Sequence, residues 1–288
     1  MLNKLSTPSP FAAVAEHLQA HRDGFGPVPT LRIEQAGAFL NETLGVLYPH
    51  LTTHAAREAL PLDEQLEGLS ADLVDHIRQT LPDPDTAPRI ATGFIEALPA
   101  IAEAVRLDAE ALLAADPAAE SLDAVILAYP GAYAVAAYRI AHWLHGAGVP
   151  LFPRLIAEYA HRVTGIDINP AAVIGKGFFV DHGTGVVIGE TAVIGDNVKL
   201  YQGVTLGAAR VKRSERHVKR HPTIEDNVVI YAHATILGGE TVIGRDSVIG
   251  GNVWLTTSVP AHSRVMYNSC DWQDRRQLAP ERADDYII

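Results

Sequence analysis

A histidine and an aspartate fifteen residues apart, His182 and Asp167, are the residues in this chain best suited to chemistry. Histidine can take a proton from a hydroxyl group near neutral pH, because its ordinary pKa lies in that range. A carboxylate bonded to the other ring nitrogen fixes the tautomer and stabilises the imidazolium that forms. The pair could therefore activate a hydroxyl for attack on an electrophile. A corner histidine and a turn aspartate without a shared role are the plainer alternative.

These two residues lie at or within a stretch in which aliphatic residues recur every six positions. A period of six fits neither an α-helix nor simple strand alternation, and it indicates a parallel β-helix. Three hexads make a coil of about eighteen residues, so the spacing plus a short insertion could bring Asp167 and His182 together on neighbouring coils. Val- and Ile-rich strands in an ordinary β-sandwich are the alternative. The predicted inward positions are Ile168, Ile174, Val180, Ile188, Ile194, Leu200, Leu206, Ile224, Ile230, Ile236, Val242, Val248 and Trp254.

The repeats follow a long region with helical spacing. Apolar residues at i, i+3, i+4 and i+7 predict an all-α domain, with a break at 82–88 and Pro99 inside a long helix. The predicted fold class is α+β, a helical domain followed by a parallel β-helix. The predicted segments are a loose arm around one short helix at 1–30, the helical domain at 31–164, the β-helix at 165–259 with an inserted loop at 208–221, and a mostly irregular tail at 260–288.

Composition narrows the class of protein. The chain has 288 residues, 48% hydrophobic and 20% charged, as expected of one or two globular domains. Its net charge of -11 argues against nucleic acid as the main partner. The single cysteine, Cys270, cannot form an internal disulfide, which fits a reducing compartment. The N-terminus has no apolar core of signal-peptide length, and the apolar run at 124–138 is too short to span a bilayer. We expect a cytoplasmic protein that does not engage a membrane.

Motifs on both sides of the helix-to-repeat junction resemble those of the serine O-acetyltransferases. They are ADPAA at 115–119, AYRIAHWLH at 137–145, TGIDINPAAVIGKG at 164–177, DHGTGVVIGETAVIGDNV at 181–198, QGVTLGA at 202–208 and RHPTI at 220–224. The resemblance covers roughly 111–259. It implies a left-handed β-helix, acetyl-CoA as donor, L-serine as acceptor, homotrimers or dimers of trimers, no metal, and O-acetylserine as a product used for cysteine synthesis.

The resemblance also implies roles for the reacting groups. It assigns His182 as the general base and Asp167 as the carboxylate that orients it. A tetrahedral oxyanion needs a hydrogen-bond donor, and His221 is a candidate.

Four further residues match positions that hold the amino-acid substrate. Asp181 and Asp116 match the carboxylates that hold its ammonium group, although Asp116 before Pro117 also suits a helix cap. Arg220 belongs to the RHP element that contacts the serine carboxylate, which suits bidentate guanidinium geometry. Glu190 matches as well, with a surface glutamate as the alternative.

Small residues and a basic loop are the candidate CoA contacts. Small side chains let pantetheine approach the backbone, with corner packing as the alternative. Cations in an acidic chain could attract the CoA phosphates, with a solvated loop as the alternative. The small positions are Gly207, Ala208, Ala232 and Gly250, and the cations are Arg210, Lys212, Arg213, Arg216, Lys219 and Arg220.

The chain departs from the family pattern in places. Asn169 stands where the family commonly has histidine, and Ala208 stands where a second glycine is frequent. The chain ends in Ile287-Ile288. In the family a C-terminal isoleucine can occupy the active site of O-acetylserine sulfhydrylase, so the resemblance implies this partner through Ile288. An ordinary apolar terminus is the alternative.

Three rival functions remain at this level. A zinc hydratase of the γ-carbonic anhydrase type would use three histidines, and His182, His217 and His221, with His233 further on, have a superficially similar spacing. An acetyltransferase for a sugar or another amine is the second rival, and a non-catalytic scaffold that binds the sulfhydrylase is the third. The DHGTGVVIGE and RHP elements favour acetyl transfer, and the two aspartates, Asp116 and Asp181, favour an amino-acid acceptor.

Overall fold

The computed structural model describes residues 9–25, 30–51, 60–209 and 218–267. Its N-terminal part is helical, as the apolar spacing predicts. The helices are α1 (Ala12–Asp23), α2 (Ile33–Leu47), α3 (Leu62–Arg78), α4 (Ala87–Ala115), α5 (Leu122–Ala128), α6 (Pro130–Gly146) and α7 (Phe152–Thr164), with 3-10 turns at Pro49–Leu51 and Pro84–Thr86.

A single apolar core joins α2, α3, α4, α6 and α7. Phe39 lies at its centre, with ring centroids 5.8 Å from Phe94 and 5.4 Å from Phe152. Helix α1 contributes no buried residue. The long helix α4 continues through Pro99. Side chains on one face of each core helix thus hold the domain together by burial of apolar surface.

Two glycines end the last two long helices. Gly148 has φ 78°, and the neighbouring N–H groups of Gly148 and Val149 donate to the carbonyls of His145 and Leu144. This is the double hydrogen bond of a Schellman motif. Gly165 ends α7 with φ 73° and turns the chain into the repeats.

Helix α5 was not predicted as a separate element. It begins at Ser121, whose hydroxyl accepts from the Ala124 N–H at 3.1 Å, and it ends at Tyr129 before Pro130. Pro130 then occupies the first turn of α6, where its missing N–H costs nothing. Helices α5 and α6 together have the length and composition of a membrane span but meet at a 77° bend, and no single described helix passes that test.

In the described residues of its second half, the chain forms fourteen short strands in three parallel sheets. From β1 to β13, successive strands go to successive sheets, so the chain winds around a three-sided prism. Between β13 and β14 the second sheet is represented by the isolated bridge from Ile243 to Val259. The sheet orders are β1-β4-β7-β10-β13, β2-β5-β8-β11 and β3-β6-β9-β12-β14. The predicted fold class is therefore confirmed. The strands are β1 (Asp167–Ile168), β2 (Val173–Ile174), β3 (Phe179–Val180), β4 (Val187–Ile188), β5 (Val193–Ile194), β6 (Lys199–Leu200), β7 (Thr205–Gly207), β8 (Thr223–Ile224), β9 (Val229–Ile230), β10 (Thr235–Leu237), β11 (Val242–Ile243), β12 (Val248–Ile249), β13 (Trp254–Leu255) and β14 (Arg264–Val265).

The predicted inward positions are buried from Ile168 to Ile236. The three that follow, Val242, Val248 and Trp254, were predicted wrongly. The fully buried residues of β11 and β12 are Ile243 and Ile249, and Leu255 rather than Trp254 pairs with Ile236. One extra residue in the turn after β10 shifts the register, and a shift of one exchanges the two faces of a strand. Trp254 is consequently 67% exposed.

The coil also continues beyond the predicted boundary at residue 259. Strand β14, Arg264–Val265, pairs with β12 and closes the last coil. Part of the tail predicted as irregular therefore belongs to the β-helix. The residues of the inserted loop from 210 to 217 lie outside the described part.

A buried ion pair joins the helical domain to the first coil. Asp108 of α4 and Arg139 of α6 form two hydrogen bonds of 2.9 and 3.0 Å, and the Asp108 side chain is 4% exposed. The guanidinium also donates to the carbonyls of Ile174 and Gly175. The Phe178 N–H donates to the carboxylate at 2.9 Å. Burial raises the pKa of Asp108, and Arg139 opposes that effect.

Neighbouring residues of α6 reinforce this junction. The Tyr138 hydroxyl donates to the Ala172 carbonyl at 2.6 Å, and His142 Nδ1 lies 2.8 Å from the Pro170 carbonyl oxygen. Gly131, in the first turn of α6, packs so closely on Val180 that an added Cβ would lie 1.8 Å from its carbonyl oxygen. The AYRIAHWLH motif thus contributes Tyr138, Arg139 and His142 to the contact between the helical domain and the β-helix.

We expect Arg139→Met to lower the free energy of unfolding by about 3 kcal/mol, because it leaves the Asp108 carboxylate buried without its cation. Urea denaturation of the two proteins measures this difference. Arg106→Met is the matched control. Arg106 bonds only exposed glutamates in the described contacts, and exposed pairs contribute less than about 1 kcal/mol. Equal losses in the two variants would contradict the anchoring role of Arg139.

Candidate functional site

The turn between β3 and β4 carries two of the predicted residues. The Asp181 side chain is 14% exposed, and its Oδ1 accepts from the His182 backbone N–H at 2.8 Å. His182 has φ 55°, in the left-handed region that only a few residue types other than glycine tolerate. Its side chain is 55% exposed, with Nδ1 3.9 Å from Asp181 Oδ1. The corner therefore presents an accessible imidazole beside a carboxylate.

This turn stacks on the segment that contains Asp167. The N–H of Asp167 donates to the Val186 carbonyl at 2.9 Å, and the N–H of Gly185 donates to the Gly165 carbonyl at 2.8 Å. Asp167 and His182 thus lie on neighbouring coils, as their spacing predicts. The Asp167 carboxylate also lies 3.8 Å from an Nη atom of Arg154, a neighbour that the sequence reasoning missed.

The helical domain supplies the opposite wall of a cleft over His182. Asp116 caps the C-terminus of α4, rather than beginning a helix, and its Oδ1 accepts from the Ala118 N–H at 2.8 Å. Its Oδ2 accepts from the Tyr129 hydroxyl at 2.7 Å. The cleft has a volume of about 720 Å³, within the range of small-molecule sites. Its lining includes Asp116, Tyr129, Asp181, His182, Thr184 and Tyr201.

Two carboxylates thus line one cleft, and they raise the pKa values of two nearby tyrosines. The hydrogen bond to Asp116 is the main reason that the pKa of Tyr129 is raised. Burial raises the pKa of Tyr201, and the carboxylates of Asp181 and Asp116 add to it. The cleft suits a small cationic group such as an ammonium. Sequence reasoning did not single out either tyrosine. The signal for Tyr129 was its place directly before Pro130, between two helical patterns.

A second cluster occupies the corner at the other end of β4. Arg220 forms an ion pair with Glu190, and the Arg220 side chain is 19% exposed. Lys219 Nζ donates to the carbonyls of Thr191 and His221 at 3.0 and 2.9 Å. The predicted residues Glu190, Arg220 and His221 are therefore brought together.

The hydrogen bonds of His221 fix its tautomer. The Thr191 N–H donates to His221 Nδ1 at 3.0 Å, so this nitrogen is an acceptor and carries no proton. The Thr191 hydroxyl accepts from the N–H groups of Arg220 and His221 and lies 2.8 Å from the same Nδ1, to which it donates. The proton of a neutral His221 must then lie on Nε2. The ring is a neutral donor.

Burial and charge keep His221 neutral. The residue is 8% exposed, and burial is the main cause that lowers its pKa to about 4, with the cations of Arg220 and Lys219 adding to the effect. The ring packs against Gly189, where an added Cβ would lie 2.0 Å from it. A glycine at this corner is what allows the imidazole to lie flat on the coil.

The predicted small residues divide between the same two corners. Ala232 and Gly250 line a groove of about 410 Å³ below the His182 corner, bordered by Tyr201, Tyr231 and Met266. The rings of Tyr201 and Tyr231 stack with centroids 5.0 Å apart. Gly207 lies at the end of β7 with Ala208 after it, on the His221 side.

The predicted site residues thus fall into two groups rather than one. The group that precedes β4 in the sequence consists of Asp116, Asp167, Asp181 and His182. The group that follows β4 consists of Glu190, Arg220 and His221. The strand β4, Val187–Ile188, runs between the two corners.

Several residues named in the sequence analysis lie outside the described residues. They are Arg210, Lys212, Arg213, Arg216, His217, Cys270 and Ile288. Within the described ranges, no group of three or more His, Cys, Asp or Glu side chains is arranged to hold a metal ion.

Curated proteins that resemble this chain in sequence are named serine acetyltransferases. No family model matches it. A protein of Synechococcus elongatus named "Serine acetyltransferase, plasmid" is 43% identical over 267 residues, 84% of this chain and 83% of that protein. A serine acetyltransferase of Mycobacterium tuberculosis is 47% identical over 163 residues, 57% of this chain and 69% of that protein.

Solved structures agree with the sequence relatives. Serine acetyltransferase isoform 3 of Entamoeba histolytica, in complex with cysteine, has a TM-score of 0.72 and 34% identity, over 92% of this chain and 95% of that one. The serine acetyltransferase of Neisseria gonorrhoeae, in complex with serine, has a TM-score of 0.56 and 29% identity, over 82% and 95%.

We expect the His221 ring to stay neutral, with its proton on Nε2, until the pH falls to about 4. The unfolded chain takes up this proton near pH 6.5, so the folded state loses stability as the pH falls from about 6.5 to 4, at up to roughly 1.4 kcal/mol per pH unit. NMR of the imidazole nitrogens measures the titration and the tautomer. The pH dependence of unfolding in His221→Asn, which lacks the titrating ring, should be flatter. A His221 signal that titrates near pH 6.5 would refute the neutral donor.

Proposed function

The chain belongs to the serine acetyltransferase family, and from this premise we propose how its residues transfer an acetyl group from acetyl-CoA to the hydroxyl of L-serine. The fold is an α-helical domain followed by a left-handed parallel β-helix. The products are O-acetyl-L-serine and CoA, and the reaction is the first step from serine to cysteine. The observation that carries the proposal is the cleft in which Asp116 and Asp181 lie beside the accessible imidazole of His182.

Serine is held through its two charged groups. Its ammonium lies between Asp116 and Asp181, whose paired negative charges favour a cation over a neutral sugar hydroxyl. Its carboxylate lies against Arg220, with Glu190 positioning the guanidinium through their ion pair. The ammonium contacts fix the side-chain hydroxyl of serine near His182.

His182 removes the hydroxyl proton as the oxygen attacks the thioester carbonyl. Asp167, on the coil below, orients the imidazole and stabilises its charged form. When the tetrahedral intermediate collapses, the carbon–sulfur bond breaks and His182 returns its proton to the CoA thiolate. Base catalysis of this kind contributes about 10²–10⁴-fold.

His221 stabilises the oxyanion of that intermediate. Its Nε2–H is a neutral donor that the Thr191 bonds hold in one tautomer. A donor already oriented before the reaction need not reorganise as charge develops. The proposed route needs no metal ion, because the base and the donor are both side chains.

Acetyl-CoA lies along the small residues. The groove at Ala232 and Gly250 leaves room for a narrow pantetheine chain beside the backbone. Gly207 and Ala208 lie on the His221 side, so in the proposed trimer they meet the CoA chain from the neighbouring subunit. Lys219 and the loop cations Arg210, Lys212, Arg213 and Arg216 supply positive charge for the CoA phosphates.

Assembly completes the site. The base and the oxyanion donor lie at different corners of one prism, so a single chain presents two half-sites. In a homotrimer, the His182 corner of one subunit meets the His221 corner of its neighbour, and threefold symmetry closes three such sites. Pairing of two trimers through the helical domains gives the alternative assembly.

We also propose a cytoplasmic location and a contact between Ile288 and O-acetylserine sulfhydrylase.

Thiol release from acetyl-CoA, measured with and without L-serine, tests the function directly. We expect release that depends on serine. No release with serine, together with release with a sugar or another amine, would reject the proposed acceptor.

We expect His182→Ala to lower kcat by more than about 100-fold, because the serine hydroxyl then loses its base. His262→Ala is the matched control. His262 is also a corner histidine with positive φ, at 59°, but it lies at another corner and pairs with Asp246. Near-normal turnover in His182→Ala would refute the assignment of the base.

Mixing two inactive variants tests the shared site. His182→Ala and His221→Ala subunits, unfolded and refolded together, should regain activity, because some interfaces combine two intact corners. Random assembly of equal amounts gives about a quarter of the wild-type sites. Activity no greater than the sum of the separate variants would place both residues in one chain's site.

A further inference from the structure

Tyr129 stands out among the residues that line the acceptor cleft without a role so far. It lies between α5 and α6, ending one helix and preceding the other. Its ring packs against the apolar cluster of Leu112, Val125 and Phe179. Its hydroxyl reaches Asp116 Oδ2 at 2.7 Å.

The bonds of Asp116 show what this contact does. The Ala118 N–H donates to Oδ1 and the Tyr129 hydroxyl donates to Oδ2, so each carboxylate oxygen has one donor from within the protein. A carboxylate accepts about four hydrogen bonds, which leaves lone pairs for a ligand. Because both oxygens are held, the carboxylate plane cannot rotate freely. A hydroxyl bond to an ionised group is among the stronger hydrogen bonds in proteins.

The backbone next to Tyr129 contacts the wall of the cleft that carries Asp181 and His182. Gly131 packs on the carbonyl of Val180, and Val180 immediately precedes Asp181. Tyr129 is therefore held by the same contact that brings the helical domain to the His182 corner. Any substitution at Tyr129 that keeps the ring leaves this contact in place.

Resting on the proposed function, we infer that Tyr129 is a positioning residue for serine recognition. It orients Asp116 so that this carboxylate and Asp181 bind the substrate ammonium together. It acts through Asp116 and takes no part in the proton transfer at His182.

Tyr129→Phe removes the hydroxyl and keeps the ring. We expect the KM for L-serine to rise roughly tenfold, while kcat and the KM for acetyl-CoA change by less than about twofold. Tyr133→Phe is the matched control. It removes a hydroxyl one turn along α6 that bonds Asn41 at the same 2.7 Å, within the helical domain. We expect Tyr133→Phe to leave the KM for serine unchanged.

A double-mutant cycle with Asp116→Asn separates this inference from a general structural role. If Tyr129 acts through Asp116, the double variant binds serine no more weakly than Asp116→Asn alone. If the increase in serine KM of the double variant equals the product of the increases in the two single variants, the inference is overturned. So would a serine KM in Tyr129→Phe equal to that of the wild type while Asp116→Asn raises it. If Asp116→Asn leaves the serine KM unchanged, the proposed serine site itself fails.

Discussion

The structure depends on the buried ion pair between Asp108 and Arg139. Removing two charges from water is costly, and the cost is offset only where every polar atom finds a partner. Arg139 meets this condition by reaching across the domain junction to the carbonyls of Ile174 and Gly175, and Asp108 accepts from Phe178. The pair therefore requires the helical domain and the first coil to be in place together. It fixes the direction in which α4 leaves the junction toward Asp116.

The cleft is a consequence of that junction. One wall comes from the end of α4 and the start of α6, and the other comes from the first corner of the β-helix. Neither wall alone places two carboxylates beside an imidazole. The close approach of Gly131 to Val180 determines the width between the walls, because no side chain separates the two backbones. The helical domain thus supplies one wall of the cleft.

The two corners illustrate different ways of setting the state of a histidine. His182 lies at a corner with left-handed backbone, where its side chain is exposed to solvent. His221 lies flat on Gly189, buried and held by Thr191, and burial keeps it neutral. A base must exchange its proton, whereas an oxyanion donor must keep it. The two environments match these two proposed tasks.

The sequence by itself determined the helical domain and the prism, and it placed Asp167 and His182 on neighbouring coils. It could do so because the residues buried in a helix or a coil recur at a fixed spacing, which can be read from the sequence. It failed where one extra residue after β10 moved burial from Val242 to Ile243, since a period does not show where a turn absorbs a residue. Only the tertiary structure decided that Asp116 meets Tyr129, that Thr191 fixes the His221 tautomer, and that the predicted site residues divide between two corners. These contacts join residues from separate elements, so their partners depend on packing, which sequence spacing does not encode.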